Sequence, residues 1–304
     1  MSIPYFDCHC DTAVELLRQG ESLYKNSLHL DLERLGRFSK TAQVFAVCTT
    51  RFDSVEADAA MEKFKSEISA NSDRISLCLS FADIEKAVAE NKTAALLSVE
   101  GAEQYGCDVS GLDALYARGV RIIHPTWNFD NALSGAAADS GEGLTGQGRE
   151  YIKKARSLGM MIDLSHISER GFWDALELEA GPMIAGHSDS HALCPAARNL
   201  TDAQFVALLK QGGGAGINLY PGFLGEKADI PTVIAHIERF LSLGGEKAVF
   251  LGCDLDGIDC TPEGINGVQD IEKLYEALLR ENYPESLVQD VFWNNIYDVM
   301  RRAL

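Results

Sequence analysis

Eight short apolar runs recur along the chain, at residues 3–7, 43–48, 94–99, 120–123, 160–164, 183–186, 216–219 and 249–252. Segments of helical period lie between and after them, at 55–70, 112–117, 146–158, 169–177, 202–210, 232–243, 268–280 and 288–302. This alternation is a βα repeat. Eight parallel strands with intervening helices close most economically into a (β/α)8 barrel of the TIM type, although an open doubly wound α/β sheet has the same local pattern. No GxGxxG or GxxxxGK loop follows the first run. The usual nucleotide-binding reason for an open sheet is therefore missing, and the barrel gains. A chain of 304 residues suits such a barrel as one domain, 1–304. The run at 76–81 has no assigned place in this scheme. The stretch 131–148, NALSGAAADSGEGLTGQG, reads as a long loop after the fourth strand, of the kind that serves as a lid.

Composition narrows the partners. Asp plus Glu number 45 against 27 Lys plus Arg, a formal charge of −18, and no basic cluster offsets it, so nucleic acid is not an expected partner. No apolar run approaches the roughly 20 residues that cross a bilayer. The start, MSIPYFDCHCDT, lacks a basic region followed by a long apolar one, and DVMRRAL at the end is no anchor tail. These features predict a cytoplasmic protein without a membrane partner. Eight cysteines with no CxxC pair are read as mostly reduced thiols.

In a barrel, reacting groups project from the C-terminal ends of several strands. The first run leads into Cys8, His9, Cys10 and Asp11; the third ends at Glu100, the fifth at Ser165 and His166, the sixth at His187, and the eighth at Asp254 and Asp256. Strand alternation puts His9 and Asp11 on one side, where they can share a metal, and Cys8 and Cys10 on the other, packed against helices. Any one such residue is more often a capping or solvated group than a ligand, but five strand ends carrying ligand types change that balance. Imidazole with carboxylate suits Zn²⁺ or a similar divalent ion, without thiolates. Two ions sharing a water hold a hydroxide at neutral pH and polarise a carbonyl or phosphoryl oxygen, which suits hydrolysis. His29, His124 and His236 lack carboxylates at ligand spacing and read as structural. His191, within HSDSH, reads as a hydrogen-bonding loop residue.

Taken in order, DCHCD, SVEG at Glu100, GLTGQGREYIKKARSLGMMIDLSH ending at His166, GHSDSHALCPAARNL, NLYPGFL and GCDLDG resemble the membrane dipeptidase family, peptidase family M19. The matches run from residue 7 to 257. The resemblance implies a TIM-like barrel with two zinc ions: His9 and Asp11 on one, His166 and His187 on the other, and Glu100 bridging both. It implies a dipeptide substrate, with some members tolerating a D-residue at its C-terminal side. Arg198 would hold the free carboxylate by a bidentate pair, and Asp254 would take a proton from the bridging water and pass it to the leaving amine. Relatives are commonly homodimers.

One family residue differs. Where many members read LTH, with a histidine near the scissile carbonyl, this chain reads PTWN and places Trp127 at the substrate. Tryptophan donates one N–H and does not titrate. The leading expectation is a cytoplasmic zinc dipeptidase. Its alternatives are an amidohydrolase acting on a non-peptide amide or ester, and a catalytically silent metal-binding relative. Arg198 discriminates the first, because it matters only for an anionic substrate; the retained Asp254 and all five ligand positions speak against the second.

Overall fold

The computed structural model describes residues 2–49 and 53–304. Its strands are β1 (Pro4–Cys10), β2 (Lys40–Val47), β3 (Ile75–Leu77), β4 (Thr93–Glu100), β5 (Val120–His124), β6 (Met161–Ile162), β7 (Ile184–Ala185), β8 (Gly214–Ile217) and β9 (Val249–Leu251). Every ladder between them is parallel, in the order β6-β5-β4-β2-β1-β9-β8-β7. The two ends of that order meet where Asp163 bridges Ile184 and the Leu164 N–H donates to the Ile184 carbonyl at 2.7 Å. The eight expected strands thus form one (β/α)8 barrel. The unplaced run supplies β3, which pairs the early part of β4 at Thr93–Ala95, below the point where β5 joins at Leu97. It ends where Ser80 caps the helix Phe81–Ala89, its hydroxyl accepting the Asp83 N–H.

Strand alternation sorts the side chains into two layers. Phe6, Val44, Leu96, Ile122, Met161, Ile184 and Phe250 fill the barrel interior. Tyr5, Phe45, Leu97, Ile123, Ile162, Ala185, Ile217 and Leu251 face the helices, as when Phe45 packs 4.5 Å from Phe64 of the helix Ser54–Ala70. On one side of the barrel three neighbouring positions, Gly186, Gly216 and Gly252, carry no side chain. A Cβ on Gly216 or Gly252 would fall within 2 Å of the Gly186 carbonyl oxygen (1.9 and 1.8 Å), so only glycine allows β7, β8 and β9 to close this tightly.

The C-terminal segment plugs the N-terminal end of the barrel. The expected single helix at 288–302 is instead a helix Glu285–Gln289, a π-helical stretch Asp290–Asn294 and a helix Asn295–Ala303. The wide turn aims Trp293 inward, 5.5 Å from Phe6, with Ile296, Val299 and Met300 beside it. The 131–148 stretch is loop as far as Thr145, which caps the helix that starts, as its period predicts, at Gly146. It is pinned to the loop after β6 through Ala137 N–H to the His166 carbonyl at 2.9 Å and an Ala136–Ile167 bridge. Among the described residues, no helix is long and apolar enough to cross a membrane.

One orientation differs from the alternation argument. Between Asp7 and Cys10 the β1 register slips, three steps on β1 matching two on β2. This β-bulge leaves Cys8 in the interior cluster with Phe6, while Cys10 turns outward. Cys8 therefore packs inside the barrel, not against the helices.

Candidate metal centre

The bulge sets His9 at the mouth of the barrel, above the apolar interior. Asp11 follows at the cap position of the helix Thr12–Gln19, yet its side chain makes no capping bond and stays free for the cavity. Its oxygen Oδ2 lies 3.3 Å from His9 Nε2. Glu100, the last residue of β4, places Oε2 3.4 Å from His9 Nε2, and Oε1 2.8 Å from His166 Nε2 and 3.2 Å from His187 Nε2. The two latter rings face each other, Nε2 to Nε2, at 3.0 Å. Asp254 Oδ1 is 3.7 Å from His9 Nε2. Six of the residues named from their strand ends, His9, Asp11, Glu100, His166, His187 and Asp254, therefore converge on one spot, while Asp256 turns to Thr12 and His29.

Local structure explains how the later two histidines arrive there. Asp163, just past β6, accepts at Oδ1 from the Ser165 N–H and hydroxyl and from the Gly186 N–H, at 2.9, 2.5 and 3.0 Å. The Ser165 hydroxyl in turn accepts the His187 N–H at 3.1 Å. One buried carboxylate thus folds the DLSH turn and ties it to GHS. Asn128 Oδ1 lies 2.9 Å from His166 Nδ1, fixing that ring from behind. Asp254 sits at φ +59 and Asp256 at φ +67, both left-handed, so the loop after β9 doubles back over the barrel. Asn218 donates to Asp254 Oδ2 at 3.0 Å.

The electrostatics favour a cation. Burial pulls His166 down to about 3 and His187 well below the usual imidazole range, in both cases outweighing the Glu100 charge, so both are neutral with lone pairs to offer. Burial also opposes charge on His9, but Glu100 and Asp11 overcome it and push that imidazole up. Burial would raise Glu100, yet His9 and His166 hold it well below the carboxylate range. Asp11 is pushed up to about 6 and Asp254 to about 7, chiefly by burial, with His9 pulling both down and Glu100 adding repulsion. Three carboxylates crowd around one chargeable ring, and a divalent ion would take over the balancing role of its proton. Among the described residues, both ring nitrogens of His9 and Oε1 of Glu100 are buried with no hydrogen-bond partner, as metal donors would be. The donor set of nitrogen and oxygen fits zinc or a related ion.

A cavity of about 710 Å³ opens over these groups, lined also by Arg198, Trp127, Tyr220, Phe223 and His29. Arg198 is 6% exposed, and no carboxylate pairs with it among the described residues. Its Nη1 and Nη2 reach Ser188 Oγ and the His187 carbonyl at 3.3 and 3.4 Å, and Nε has no hydrogen-bond partner among the described residues. A buried guanidinium held so loosely is prepared for an anion. Trp127 is half-buried, its ring 6.4 Å from that of His166.

Sequence spacing missed partners that the barrel supplies from neighbouring strands. His124 pairs in register with Glu100 across β4 and β5, its Nδ1 3.9 Å from Glu100 Oε1 and its Nε2 3.7 Å from Asp163 Oδ2. It is buried directly beneath the centre and does have carboxylate neighbours. His29 has one too: its backbone N–H donates to Asp256 Oδ1 at 2.6 Å, while its ring Nδ1 accepts the Asp256 backbone N–H at 3.0 Å. His236 is structural as expected, accepting the Ser190 N–H at Nδ1 and facing the Leu224 carbonyl through Nε2. His191 stands apart from the converging groups.

Comparison with known proteins gives this constellation a lineage. The sequence profile of the membrane dipeptidase family, peptidase family M19, matches residues 1–304. A Klebsiella pneumoniae protein known as an uncharacterized protein in the pqqA 5′ region is 36% identical over 252 residues, covering 79% of this chain and 93% of its own length. A Rhodobacter sphaeroides metallopeptidase, solved with a phosphinate mimic of the dipeptide L-Ala-D-Ala, superposes with a TM-score of 0.93 at 27% identity, with 100% of each chain covered. A second solved structure, dipeptidase AC, a metallopeptidase of family M19, gives 0.90 at 29% identity, covering 100% of this chain and 99% of its own. The chain belongs to the membrane dipeptidase family, peptidase family M19, and with it to the metallo-dipeptidase hydrolases.

Proposed function

We propose that this protein hydrolyses the peptide bond of dipeptides with two zinc or similar divalent ions, one held by His9 and Asp11, the other by His166 and His187, and both by Glu100. The observation that carries the reading is the Glu100 carboxylate, whose two oxygens turn to different histidines, Oε2 to His9 and Oε1 to His166 and His187. When bound, the ions supply an activated water at neutral pH and a Lewis acid for the scissile carbonyl.

The chain's own groups do the rest. Arg198 pairs with the free C-terminal carboxylate of the substrate, which supplies the anion its guanidinium lacks. That contact sets the length of substrate accepted, since a longer peptide carries its carboxylate elsewhere. Asp254, oriented by Asn218, moves the proton from the attacking water to the leaving amine. Trp127 walls the cavity beside His166 and packs against the substrate. The Rhodobacter sphaeroides relative holds a mimic of a dipeptide ending in D-Ala, which supports acceptance of a C-terminal D-residue here.

Four rates test this reading: a dipeptide and its C-terminal amide, each with the wild type and with Arg198→Lys. Amidation should cost the wild type about one to two decades in kcat/KM, the worth of a charge-assisted hydrogen bond. Arg198→Lys should cost a similar amount, and the two losses should not add, since each removes the same bidentate contact. Equal cleavage of both substrates by the wild type would replace the dipeptidase reading with a general amidohydrolase acting on amides or esters.

A further inference from the structure

In the ring of strands, β2 lies between β1, which ends in His9 and Asp11, and β4, which ends in Glu100. A strand in that position should aim a group at the same spot. Ala42 and Val44 of β2 face the barrel interior, and the same parity brings Cys48 inward at the mouth. Cys48 is 7% exposed and lines the cavity. Its Sγ, one carboxylate oxygen of Asp11 and one of Glu100 all lie within 4.8 Å of one another.

The thiol is also held there. Gln104 donates to the Val47 carbonyl at 3.0 Å and accepts the Thr49 N–H at 2.8 Å, gripping the backbone on both sides of Cys48. The same amide donates to the Glu100 carbonyl. One side chain thus ties the backbone that carries the sulfur to the backbone that carries the Glu100 carboxylate.

We propose that the Cys48 sulfur is a further donor to the ion that His9, Asp11 and Glu100 hold. This rests on the metal centre described above and extends it with a ligand of different chemistry. On ligation the S–H proton leaves to solvent and the sulfur lone pair takes its place on the ion. The two positions are then unequal. The His166–His187 position offers only nitrogen and oxygen, whereas the His9–Asp11 position includes one soft donor and favours thiophilic ions such as Zn²⁺, Co²⁺ and Cd²⁺ over Mn²⁺ or Mg²⁺.

Cobalt reports a sulfur ligand by its colour. The full-length protein, stripped with a chelator and reloaded with Co²⁺, should show a near-ultraviolet thiolate-to-cobalt absorption band. Cys48→Ser and Cys48→Ala should lose that band while keeping their bound cobalt and their circular dichroism. In the same variants the preference for Cd²⁺ over Mn²⁺ should fall at least about tenfold, since loss of even an outer partner of a ligand costs that much. Cobalt bound without the band in the wild type, or an unchanged band in Cys48→Ser, overturns the proposal. A protein that takes up no cobalt overturns the metal centre and the sulfur donor together, so the two failures are distinguishable.

Discussion

The two ends of the barrel interior are built by the same strands a few residues apart, and they obey opposite rules. β1 carries Phe6 toward the plugged end and His9 toward the mouth. β4 carries Leu96 and then Glu100, β5 Ile122 and then His124, and the β9 segment Phe250 and then Asp254. At the plugged end an apolar cluster fills the interior and Trp293 closes the floor, so burial there is favourable by about 25 cal/mol per Å². At the mouth, carboxylates, imidazoles and a guanidinium are buried with few hydrogen bonds, an arrangement that costs stability until something charged is bound. The difference teaches where stability and chemistry reside: the floor holds the fold together, and the mouth is tolerated for what it binds.

The sharpest way to break this division is Glu100→Gln. The amide keeps the shape but removes the charge shared by the His9–Asp11 and His166–His187 pairs, so more than one divalent ion per chain should be lost and turnover with them. Elemental analysis of protein purified without chelator, before and after zinc is added back, checks this. A variant that holds as much metal as the wild type would show that Glu100 is not shared between two ions.

Asp254→Asn comes next. Asparagine tolerates the left-handed backbone at this position, so fold and metal content should survive. The amide cannot relay a proton, and kcat should fall by about 10² to 10⁴-fold. A near-normal kcat with metal retained would make Asp254 a strand-end carboxylate only and move the proton to Asp256 or to water.

The floor offers the opposite signature. Trp293→Ala empties the plug beside Phe6 and should cost about 3 to 5 kcal/mol of stability by urea unfolding. The kinetic constants of the folded fraction should stay close to those of the wild type. Lost turnover at full stability would couple floor and mouth and break the division.

This division also governs what could be read before folding. The strands were legible because each is a short apolar run, and the ring of eight followed from their alternation with helices. The helix Thr12–Gln19 escaped because it starts one residue after Asp11, inside a stretch that reads as site, and Phe81–Ala89 because its cap, Ser80, lies in the 76–81 run that has no assigned place. His9, Asp11, Glu100, His166, His187 and Asp254 were visible as polar residues at strand ends, with Arg198 and Trp127 added by the family resemblance. Cys8 was turned the wrong way because a single-residue bulge has no signature in the alternation. His124, Asp163 and Cys48 stayed hidden for another reason. Their neighbours come from adjacent strands in register or from the closure of the barrel, and spacing along the chain carries neither distance.

The smallest expected effect lies behind the mouth, at His236. Its Nδ1 accepts the Ser190 N–H at 3.0 Å, and its Nε2 donates to the Leu224 carbonyl at 3.1 Å. The ring therefore pins two loops, one leading to Arg198 and the other to Phe223, whose ring lies 5.4 Å from the Arg198 guanidinium. Such a ring must stay neutral, because protonation would leave Nδ1 with no lone pair for Ser190. Burial pulls its pKa below the usual 6.5, with the Leu224 carbonyl opposing. The unfolded chain then takes up a proton near pH 6.5 while the native one does not. Stability from this residue is complete above that pH and is lost as pH falls below it, by at most about 1.4 kcal/mol per unit, until the native ring also protonates. His236→Asn keeps an acceptor for Ser190 and loses the bond to Leu224, about 1 kcal/mol at pH 8. The difference in urea midpoint between wild type and variant should shrink from pH 8 to pH 5. A constant difference across that range would mean that His236 titrates alike in both states and that its neutral form is not what holds the loops behind Arg198.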